Sequence, residues 1–440
     1  MLKKAKNISE VPSAFPPAPL KGEEFQEFYV PVDSERDACL SRIEELKKKL
    51  EKDNVKILFA GHRGSGKSTE LNRLIMESAE TDFTVKFSVT EELDVNDINY
   101  IDLVMTMMEQ IADQAEKAGF IDKDSKHLQK ITDWLSDVTE IKATETGYML
   151  EVEAGLKASR GMLSSLIGLI AEFKAAVKSA SVNKKEYRKK LDQKISLLTA
   201  YCNIMINEIK INLQKQNKNL LVVIEDLDKV ETSKTHELFF KHSGILTELN
   251  AKIVFTVSVF TLTTPYLADL KSRFELVSLP MLKTKKIAGG VYDRGVAVIK
   301  KIVENRAELT LFETGVLDQM IDRCGGVLRD LFEMIDIAAT SASFNKLDTI
   351  DRQISDYAFE RLKSRYHGMI TVEGKEETGV TTDSLYDELV KISQSEAKKF
   401  PLDKTILLLL SCLAVVEYNG EQWFDVHPVV KSLLKDMGKI

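Results

Sequence analysis

The sequence predicts an α/β fold in which helices cover a parallel β-sheet, with a largely helical insertion in the sheet domain and smaller helical and winged-helix parts behind it. Three observations support this prediction. Short apolar runs typical of buried parallel strands alternate with amphipathic helical patterns. A glycine-rich loop joins the first of these runs to a helix. Near the carboxyl end, helices are followed by a hairpin signal.

The glycine-rich loop reads GHRGSGKS, from Gly61 to Ser68, and has the spacing of the phosphate-binding loop called Walker A. Gly64 and Gly66 permit positive φ and carry no Cβ, so the backbone amides can face an anion. Lys67 is expected to reach the β and γ phosphates of a nucleotide, and the Ser68 hydroxyl to bind Mg²⁺. The predicted nucleotide-binding residues are Gly61, Arg63, Gly64, Ser65, Gly66, Lys67, Ser68 and Thr69.

The residues on both sides of this loop support the interpretation. Residues 55–60 are mostly apolar, as expected of a buried strand, and Leu71, Leu74 and Ile75 follow at helical spacing. A helix that begins at the loop would direct its dipole at the phosphates. A strand, the loop and a helix in this order are the context that the motif requires.

Length and composition restrict the class of protein. A chain of 440 residues with 44% hydrophobic residues can bury a large core and form roughly two to four domains. The net charge of -7 argues against a protein that mainly coats nucleic acid. The four cysteines have no paired spacing, and neither a secretory signal nor a membrane-spanning run is apparent. These features predict a cytoplasmic protein without a zinc site.

The first third of the chain is predicted to hold an arm, two strands and two helices. Residues 1–33 contain five prolines and should form an extended arm. A charged amphipathic helix is predicted over 34–52, with Ser34 as its N-cap. After the loop and its helix, a second strand is predicted over 83–89, and Asp97 is expected to cap the next helix.

Residues 121–217 interrupt the alternation of strands and helices. This insertion is predicted to be mostly helical, apart from a strand-like alternation over 148–157. Residues 162–177 carry an apolar stripe, and a basic cluster follows at 184–190. Such a helix could touch a membrane or bind a partner. A helical hairpin packed on itself or on the sheet is favoured, because burial is the usual fate of such stripes.

The third predicted strand, residues 220–224, runs into Glu225, Asp226 and Asp228. A buried strand that ends in adjacent carboxylates is the Walker B pattern. Because side chains alternate along a strand, one acid can hold the Mg²⁺ water shell while the next orients the attacking water. A solvated acidic turn is the alternative. Strands over 252–259 and 274–279 complete the predicted sheet.

The carboxyl-terminal part is predicted to be helical, with one hairpin. Residues 284–345 and about 350–366 have a helical period, and further helices are predicted over 384–398 and 403–413. Two alternating strands then flank Asn419-Gly420, and helices followed by such a hairpin predict a winged-helix domain. The helix before the hairpin is almost entirely apolar, which indicates a core element and not a DNA-reading one.

The order of these parts resembles the AAA+ superfamily and its signalling relatives, the STAND ATPases. The resemblance covers residues 34–440 apart from the insertion. It implies an ATPase core in two parts, 34–120 and 218–283, a helical lid with a linker helix over 284–378, and a winged-helix domain over 379–440. It further implies that ATP or ADP binds with Mg²⁺ between the sheet domain and the lid.

The resemblance also implies roles for the acids and for two residues of the sheet domain. The superfamily usually has Asp followed by Glu, whereas here Glu225 precedes Asp226. We assign Glu225 to the metal and Asp226 to the water, with Asp228 as a substitute. Ser258 or Thr256 occupies the sensor 1 position, which contacts the γ phosphate. Arg273 has the position of an arginine finger that acts on a neighbouring subunit, and a surface salt bridge is its alternative role.

Two further residues are assigned by the resemblance. Arg329, in the segment Gly-Gly-Val-Leu-Arg from Gly325, has the sensor 2 position, from which it would read the γ phosphate and couple nucleotide state to lid closure. The two glycines could also mark only a turn. His427 has the position of the histidine that contacts the ADP β phosphate in STAND proteins. A structural role beside the helix-starting Pro428 is the alternative.

The expected function follows from this resemblance. It is an ATP-binding and ATP-hydrolysing molecular switch whose nucleotide state controls self-assembly or a separate protein partner or effector, since no sensor repeats follow the winged helix. The first alternative is a DNA-associated AAA+ ATPase of the origin-initiator or transposition-helper type, against which the acidic balance and the apolar pre-hairpin helix stand. The second is a scaffold that binds ATP without hydrolysing it.

Overall fold

A five-stranded parallel sheet lies at the centre of the computed structural model, which describes residues 2–32, 42–122, 125–146, 166–171, 174–175, 183–262, 267–371, 379–396, 399–400, 402–418 and 423–440. The strands are β1 (Lys56–Gly61), β2 (Asp82–Ser88), β3 (Asn219–Glu225), β4 (Lys252–Val257) and β5 (Glu275–Leu279). Their order is β2-β3-β4-β1-β5, and all four neighbouring pairs are parallel. The predicted α/β fold with a parallel sheet is therefore confirmed.

This strand order determines where the two predicted motifs lie on the sheet. β4 separates β1 from β3, so the glycine-rich loop after β1 and the acids after β3 open at the same edge of the sheet, on either side of Thr256 in β4. Parallel strands place such connections at their carboxyl ends, where open α/β sheets bind ligands. The sheet therefore brings the two predicted motifs together.

Helices cover both faces of this sheet. Those of the arm, the sheet domain and the insertion are α1 (Val11–Ala14), α2 (Glu24–Phe28), α3 (Arg42–Leu50), α4 (Lys67–Glu77), α5 (Val89–Glu92), α6 (Tyr100–Lys117), α7 (Lys126–Thr146), α8 (Asn183–Asp192), α9 (Ile195–Gln214), α10 (Thr232–His236), α11 (Ser243–Thr247) and α12 (Leu267–Arg273). Short 3-10 helices span Ile8–Glu10, Leu227–Lys229 and Val259–Leu262, and a π-helix spans Glu237–Lys241. Side chains alternate along β1, so Ile57 packs with α3 and α4 whereas Leu58 packs with α6 and the insertion.

The remaining helices share one hydrophobic cluster. They are α13 (Asp293–Arg306), α14 (Val316–Cys324), α15 (Leu328–Phe344), α16 (Arg352–Met369), α17 (Thr382–Gln394), α18 (Lys404–Ser411) and α19 (Pro428–Asp436), with a 3-10 helix at Leu309–Leu311. We call residues 379–440 the carboxyl-terminal unit. Its strands β6 (Val415–Glu417) and β7 (Phe424–Val426) pair antiparallel, and α18 buries Ile406, Leu409 and Leu410 as a core element. These are the elements predicted for a winged helix, and that assignment stays a prediction.

The amino-terminal arm differs from its prediction, because it is not extended throughout. It contains a 3-10 turn followed by α1, and later α2. Pro12 lies in the first turn of α1, where the N–H that proline lacks would have no partner within the helix. Phe25 and Phe28 are buried in a small cluster with Leu20. The arm therefore packs through its aromatic residues and makes short helical turns around its prolines.

The cap of α6 is a second correction. Asn99, not Asp97, is the N-cap residue: its side chain accepts hydrogen bonds from the N–H groups of Ile101 and Asp102 in a capping box. Asp97 instead contacts Arg188 of the insertion at 3.0 Å. Asp97 is therefore engaged by a residue more than ninety positions away in the sequence, while Asn99 caps the helix.

The insertion is helical where the structure describes it. It contributes α7, α8, α9 and a helical stretch at 166–171. Leu166 and Ile170 are fully buried in the cluster that contains α6 and one face of the sheet, which agrees with the packed interpretation of the apolar stripe. The strand-like pattern over 148–157 and the Ser34 cap lie outside the described residues. Within the described ranges, no helix is long and apolar enough to cross a bilayer.

Gly326, at the turn before α15, should be the glycine most sensitive to substitution. Its φ is +87°, and an added Cβ would lie 1.8 Å from the carbonyl oxygen of Leu282. We expect Gly326→Ala to lower the free energy of unfolding by roughly 2–4 kcal/mol, since both the left-handed backbone and the displaced neighbour cost energy. Chemical denaturation measures this loss.

The matched control is Gly315→Ala. Gly315 also has a positive φ, +80°, but no described atom lies within 4 Å of an added Cβ. It should therefore show only the backbone cost of about 1–2 kcal/mol. Equal losses in the two variants would contradict the close approach to Leu282.

Candidate functional site

A cavity of about 400 Å³ opens at the carboxyl edge of the sheet. Its size suits a nucleotide-sized ligand. The glycine-rich loop, the acids at the end of β3, the amino-terminal arm and the start of α15 contribute to its wall, together with residues of β2, α5, β4 and α13. Among the lining residues are the predicted site residues Arg63, Gly64, Gly66, Lys67, Ser68, Thr69, Glu225, Asp226, Asp228, Thr256 and Arg329.

The glycine-rich loop adopts a conformation that only glycine takes readily at two positions. Gly64 and Gly66 have φ of +81° and +95°. Gly66 immediately precedes α4, and the first residues of α4 line the cavity. Gly61 and Ser65 lie behind the lining, and a Cβ at Gly61 would come within 2.7 Å of the Leu279 carbonyl oxygen. A turned loop that opens onto a helix N-terminus is an anion-binding arrangement.

Lys67 lies inside this loop. Its Nζ donates hydrogen bonds to the carbonyls of Gly61 at 2.8 Å and His62 at 3.0 Å, and pairs with the Asp228 carboxylate at 3.0 Å. Both charged side chains are less than a tenth exposed. Arg63 reaches the Asp228 carbonyl at 3.4 Å. Asp228, the substitute in the sequence-based assignment, is thus the acid that contacts the loop lysine.

One carboxylate oxygen of Glu225 has no hydrogen-bond partner among the described residues. The Glu225 Oε2 pairs with Lys86 of β2 at 2.6 Å. Its Oε1 is buried and makes no hydrogen bond with any residue that the structure describes. A buried carboxylate oxygen without a partner, on the wall of an anion-binding cavity, fits a divalent cation or a water bound to one. The residues predicted for Mg²⁺, Ser68 and Glu225, therefore have suitable chemistry and line the same cavity.

Asp226 is held by several donors. It accepts hydrogen bonds from the hydroxyls of Ser88 at 2.6 Å and Thr90 at 3.0 Å, and pairs with Lys229 at 2.8 Å. Partial burial alone would raise the pKa of Asp226, but Lys229 and the hydroxyl donors outweigh it and hold the pKa below its ordinary value. An ionised carboxylate fixed at the cavity wall has the properties required to orient a water molecule.

The two candidates for sensor 1 differ in position. Thr256 lines the cavity, and its Oγ1 donates to the Ile224 carbonyl at 3.3 Å. Ser258 follows the end of β4 and does not line it. Of the pair, Thr256 is the one placed to meet a ligand.

Arg329 lies where α15 approaches the glycine-rich loop. It is the second residue of α15 and lines the cavity. A Cβ added to Gly64 would lie only 3.2 Å from the Arg329 Cβ. The arginine predicted at sensor 2 is therefore beside the phosphate-binding loop.

Arg273 lies elsewhere. It ends α12, donates a hydrogen bond to the Ser243 hydroxyl at 2.5 Å, and lines a second cavity of about 320 Å³ with His236 and Phe239. It makes no contribution to the wall of the first cavity. Its action on a neighbouring subunit stays a prediction.

His427 lies away from the other predicted nucleotide-binding residues, and its contact with the nucleotide stays a prediction. It is fully buried and does not line the cavity. Its Nδ1 accepts a hydrogen bond from the Val429 N–H at 3.2 Å, which caps α19, and its Nε2 lies 3.3 Å from the Asp330 carboxylate. The ring stacks on Tyr366. Both ring nitrogens thus face protein groups, as the structural alternative requires.

Sequence reasoning missed His62, the second residue of the loop. It is 2% exposed, and its Nε2 accepts a hydrogen bond from the Glu417 N–H at 2.9 Å. Burial, with a smaller contribution from the charge of Lys67, lowers the pKa of His62 to about 3. The loop motif leaves this position open, and its partner lies 355 residues further along the chain. No local signal could have identified the contact.

The arm was also not assigned to the site. Residues 16–20 and Tyr29 line the cavity. Tyr29 donates to Glu70 at 3.2 Å and accepts from Arg73 at 2.9 Å, both on α4, and Asn72 donates to the Leu20 carbonyl at 2.8 Å. The arm is therefore fastened to the helix that follows the phosphate-binding loop.

We expect His62 to make the protein less stable in acid. The folded chain keeps this imidazole neutral down to about pH 3, whereas its ordinary pKa is 6.5. The unfolded state therefore binds more protons between these values, and the free energy of unfolding should fall by up to ~1.4 kcal/mol per pH unit as the pH drops through this window. Urea denaturation at pH 6.5 and below, at stepwise pH, measures the slope.

His62→Gln should reduce this acid slope, because glutamine does not titrate. His127→Gln is the matched control, since His127 is exposed and should leave the slope as in the wild type. An unchanged slope in His62→Gln would contradict the assignment.

The model of the KAP family P-loop domain matches residues 39–249. This segment contains the glycine-rich loop, the insertion and the acids that end β3. A search of curated proteins finds no match.

Among solved structures, the chain is similar to the Aeropyrum pernix ORC2 protein in its ADPNP–ADP complexes, with 13% identity and a TM-score of 0.39 over 96% of this chain and 99% of that chain. It is also similar to Cdc6p from Pyrobaculum aerophilum, with 10% identity and a TM-score of 0.41 over 97% and 98% of the two chains. For a chain of Drosophila ORC bound to DNA, the values are 8% and 0.39 over 99% and 80%.

The family match spans both motifs, and the structure places them around one cavity. The conformation of the glycine-rich loop, the buried Lys67 and the carboxylate of Glu225 are features that phosphoryl transfer requires. Together they identify the chain as a P-loop NTPase with a P-loop domain similar to that of the KAP family.

Proposed function

We propose that the chain is an ATP-dependent molecular switch. It binds ATP with Mg²⁺ in the cavity at the sheet edge, hydrolyses it, and passes the nucleotide state to the lid and the carboxyl-terminal unit. Their positions then control self-assembly or a protein partner. The observation that carries this proposal is the position of Arg329, which lines the same cavity as the phosphate-binding loop and lies 3.2 Å from where a Cβ on Gly64 would be.

The residue after Arg329 extends the connection. Asp330 contacts Tyr366 of α16 at 2.6 Å and lies 3.3 Å from His427 of the carboxyl-terminal unit. Arg329 and Asp330 are adjacent on the first turn of one helix. A change in the contact between Arg329 and the phosphates would therefore also change the contacts of Asp330 with the carboxyl-terminal unit. A switch requires coupling of this kind.

The chemistry assigned to the site uses the residues already placed around it. Lys67 and the loop amides would bind the phosphates, Ser68 and Glu225 would hold Mg²⁺, and Asp226 would orient the attacking water. Bound Mg²⁺ supplies positive charge that offsets the charge of the phosphates. Lys67 pairs with Asp228 at 3.0 Å, so phosphates bound in the loop would share Lys67 with that carboxylate.

The first test is the identity and amount of nucleotide released when the purified protein is denatured, with Lys67→Ala as the blank. Adenine nucleotide near one per chain, absent in the variant, supports the proposal. If the protein is empty, titration with ATP and Mg²⁺ replaces this measurement. Failure of the wild type to bind ATP under both conditions would refute the proposal.

The second test addresses the switch. Limited proteolysis and hydrogen exchange of the lid are compared with ADP and with a non-hydrolysable ATP analogue, in the wild type and in Arg329→Ala. The wild type should differ between the two nucleotides, and Arg329→Ala should differ less. If the lid shows the same proteolysis and the same hydrogen exchange with both nucleotides, the chain is not the proposed switch.

A further inference from the structure

His62 and Glu417 form a direct polar link between the phosphate-binding loop and the carboxyl-terminal unit. His62 is the second residue of the loop, and Glu417 ends β6. The Glu417 N–H donates to His62 Nε2 at 2.9 Å, and the two residues are only 2% and 3% exposed. Water therefore has little access to replace either partner in this arrangement.

His62 also supports the interior of the loop. Its carbonyl accepts hydrogen bonds from Lys67 Nζ at 3.0 Å and from the Ser65 N–H at 3.2 Å. The main chain of His62 thus holds the lysine expected to bind phosphate, while its side chain holds β6. A movement of β6 would therefore act on a residue that also contacts Lys67.

The end of β6 is fixed from two other sides. The Glu417 carbonyl accepts from the Met281 N–H at 3.2 Å, in the segment after β5. The Tyr418 hydroxyl donates to the Gly325 carbonyl at 2.8 Å, in the turn before α15. At that turn, a Cβ on Gly325 would come within 2.5 Å of Pro428, at the start of α19. The loop, the segment after β5 and the start of the lid helix therefore meet at one end of the carboxyl-terminal unit.

We propose that His62 is a positioning residue for the nucleotide site: its hydrogen bond with Glu417 makes the conformation of the loop depend on docking of the carboxyl-terminal unit. This inference rests on the proposed function and supplies the contact through which the unit acts on the loop. Because such coupling is reciprocal, nucleotide binding must change docking by the same factor by which docking changes nucleotide affinity. Coupling between two sites is typically about 5–150-fold.

Two substitutions of His62 separate the acceptor from the rest of the side chain. His62→Leu fills a similar space but cannot accept the Glu417 N–H, whereas His62→Gln keeps an acceptor oxygen. The measurements are the Kd for ATP with Mg²⁺ and hydrogen exchange of the β6 backbone with and without ATP. We expect ATP to change β6 exchange in the wild type by ~5-fold or more. His62→Leu should weaken ATP binding and abolish this response, and His62→Gln should restore part of both.

Tyr418→Phe is the matched control, because it removes a neighbouring hydrogen bond of the same unit without touching the loop. It should speed β6 exchange with and without ATP and keep the response to ATP. A normal response to ATP in His62→Leu would overturn the inference. So would a wild type that binds ATP without any change in β6 exchange, an outcome that needs no variant to fold. A wild type that fails to bind ATP would instead overturn the proposed function.

Discussion

Asp226→Asn is expected to leave ATP bound and to lower its turnover by roughly 10²–10⁴-fold. Asparagine has the size of aspartate and can still meet the Ser88 and Thr90 hydroxyls that hold this side chain. It carries no charge and cannot accept a proton from the attacking water, so binding and chemistry should separate. Phosphate release at saturating ATP measures turnover, and ATP titration measures binding.

Lys229→Ala is the control for this prediction. It removes the ion pair with Asp226 but leaves the carboxylate and its two hydroxyl donors. Lys229 is 43% exposed, and exposed pairs contribute only about 0–1 kcal/mol, so turnover should change less than ~5-fold. Normal turnover in Asp226→Asn would show that Asp226 is not required for ATP hydrolysis. A wild type that binds ATP and releases no phosphate would instead favour the scaffold that binds ATP without hydrolysing it.

The parallel sheet was predictable because its strands are buried on both faces. A strand without a solvent face appears in the sequence as a continuous apolar run, and the predicted range 55–60 differs from β1 by one residue at each end. Glycine and acidic residues then mark where β1 and β3 stop. The same local patterns placed Lys67 and Glu225 at one cavity, because parallel strands end at a common edge, whereas Arg329 was assigned by the resemblance.

Errors arose where two local choices were equally good and a distant residue decided between them. Asp97 and Asn99 both favour a helix N-cap, but Arg188 of the insertion pairs with Asp97 and leaves Asn99 to cap α6. The histidine before Pro428 is equally compatible with a phosphate contact and with a helix cap. Asp330, almost a hundred residues earlier, lies beside its ring, and the ring caps α19, whereas the phosphate contact stays a prediction.

The contact of His62 could not be predicted for a different reason. A phosphate-binding loop specifies its glycines, lysine and hydroxyl, whereas the second position is free of those requirements. Its partner is a main-chain N–H, which every residue except proline carries. The residue type at position 417 therefore gives no signal of this hydrogen bond. Only the packing of the carboxyl-terminal unit against the loop reveals it.

Asp330 should be the residue whose loss most destabilises the junction of the lid and the carboxyl-terminal unit. Its carboxylate is 1% exposed and contacts Arg365 and Tyr366, each at 2.6 Å, with His427 at 3.3 Å. Burial alone would raise the pKa of Asp330, but His427, Arg365 and Tyr366 outweigh it and hold the pKa below its ordinary value. The carboxylate is therefore ionised at neutral pH, and its stabilising contribution is lost as the pH falls through that lowered pKa.

Asp330→Ala is expected to lower the free energy of unfolding by about 3–5 kcal/mol, because it leaves the buried Tyr366 hydroxyl without its acceptor and takes one of two carboxylate partners from Arg365, which retains Glu333. Denaturation in urea measures the loss, and Asp322→Ala is the control, since that carboxylate is 62% exposed in its pair with Lys285 and should cost at most ~1 kcal/mol. The two variants would lose equal stability if Asp330 were only a surface charge. If instead Asp330→Ala is strongly destabilised and its ATP affinity also falls, the junction that holds the carboxyl-terminal unit is energetically linked to the nucleotide site, because Arg329 and Asp330 share one helical turn.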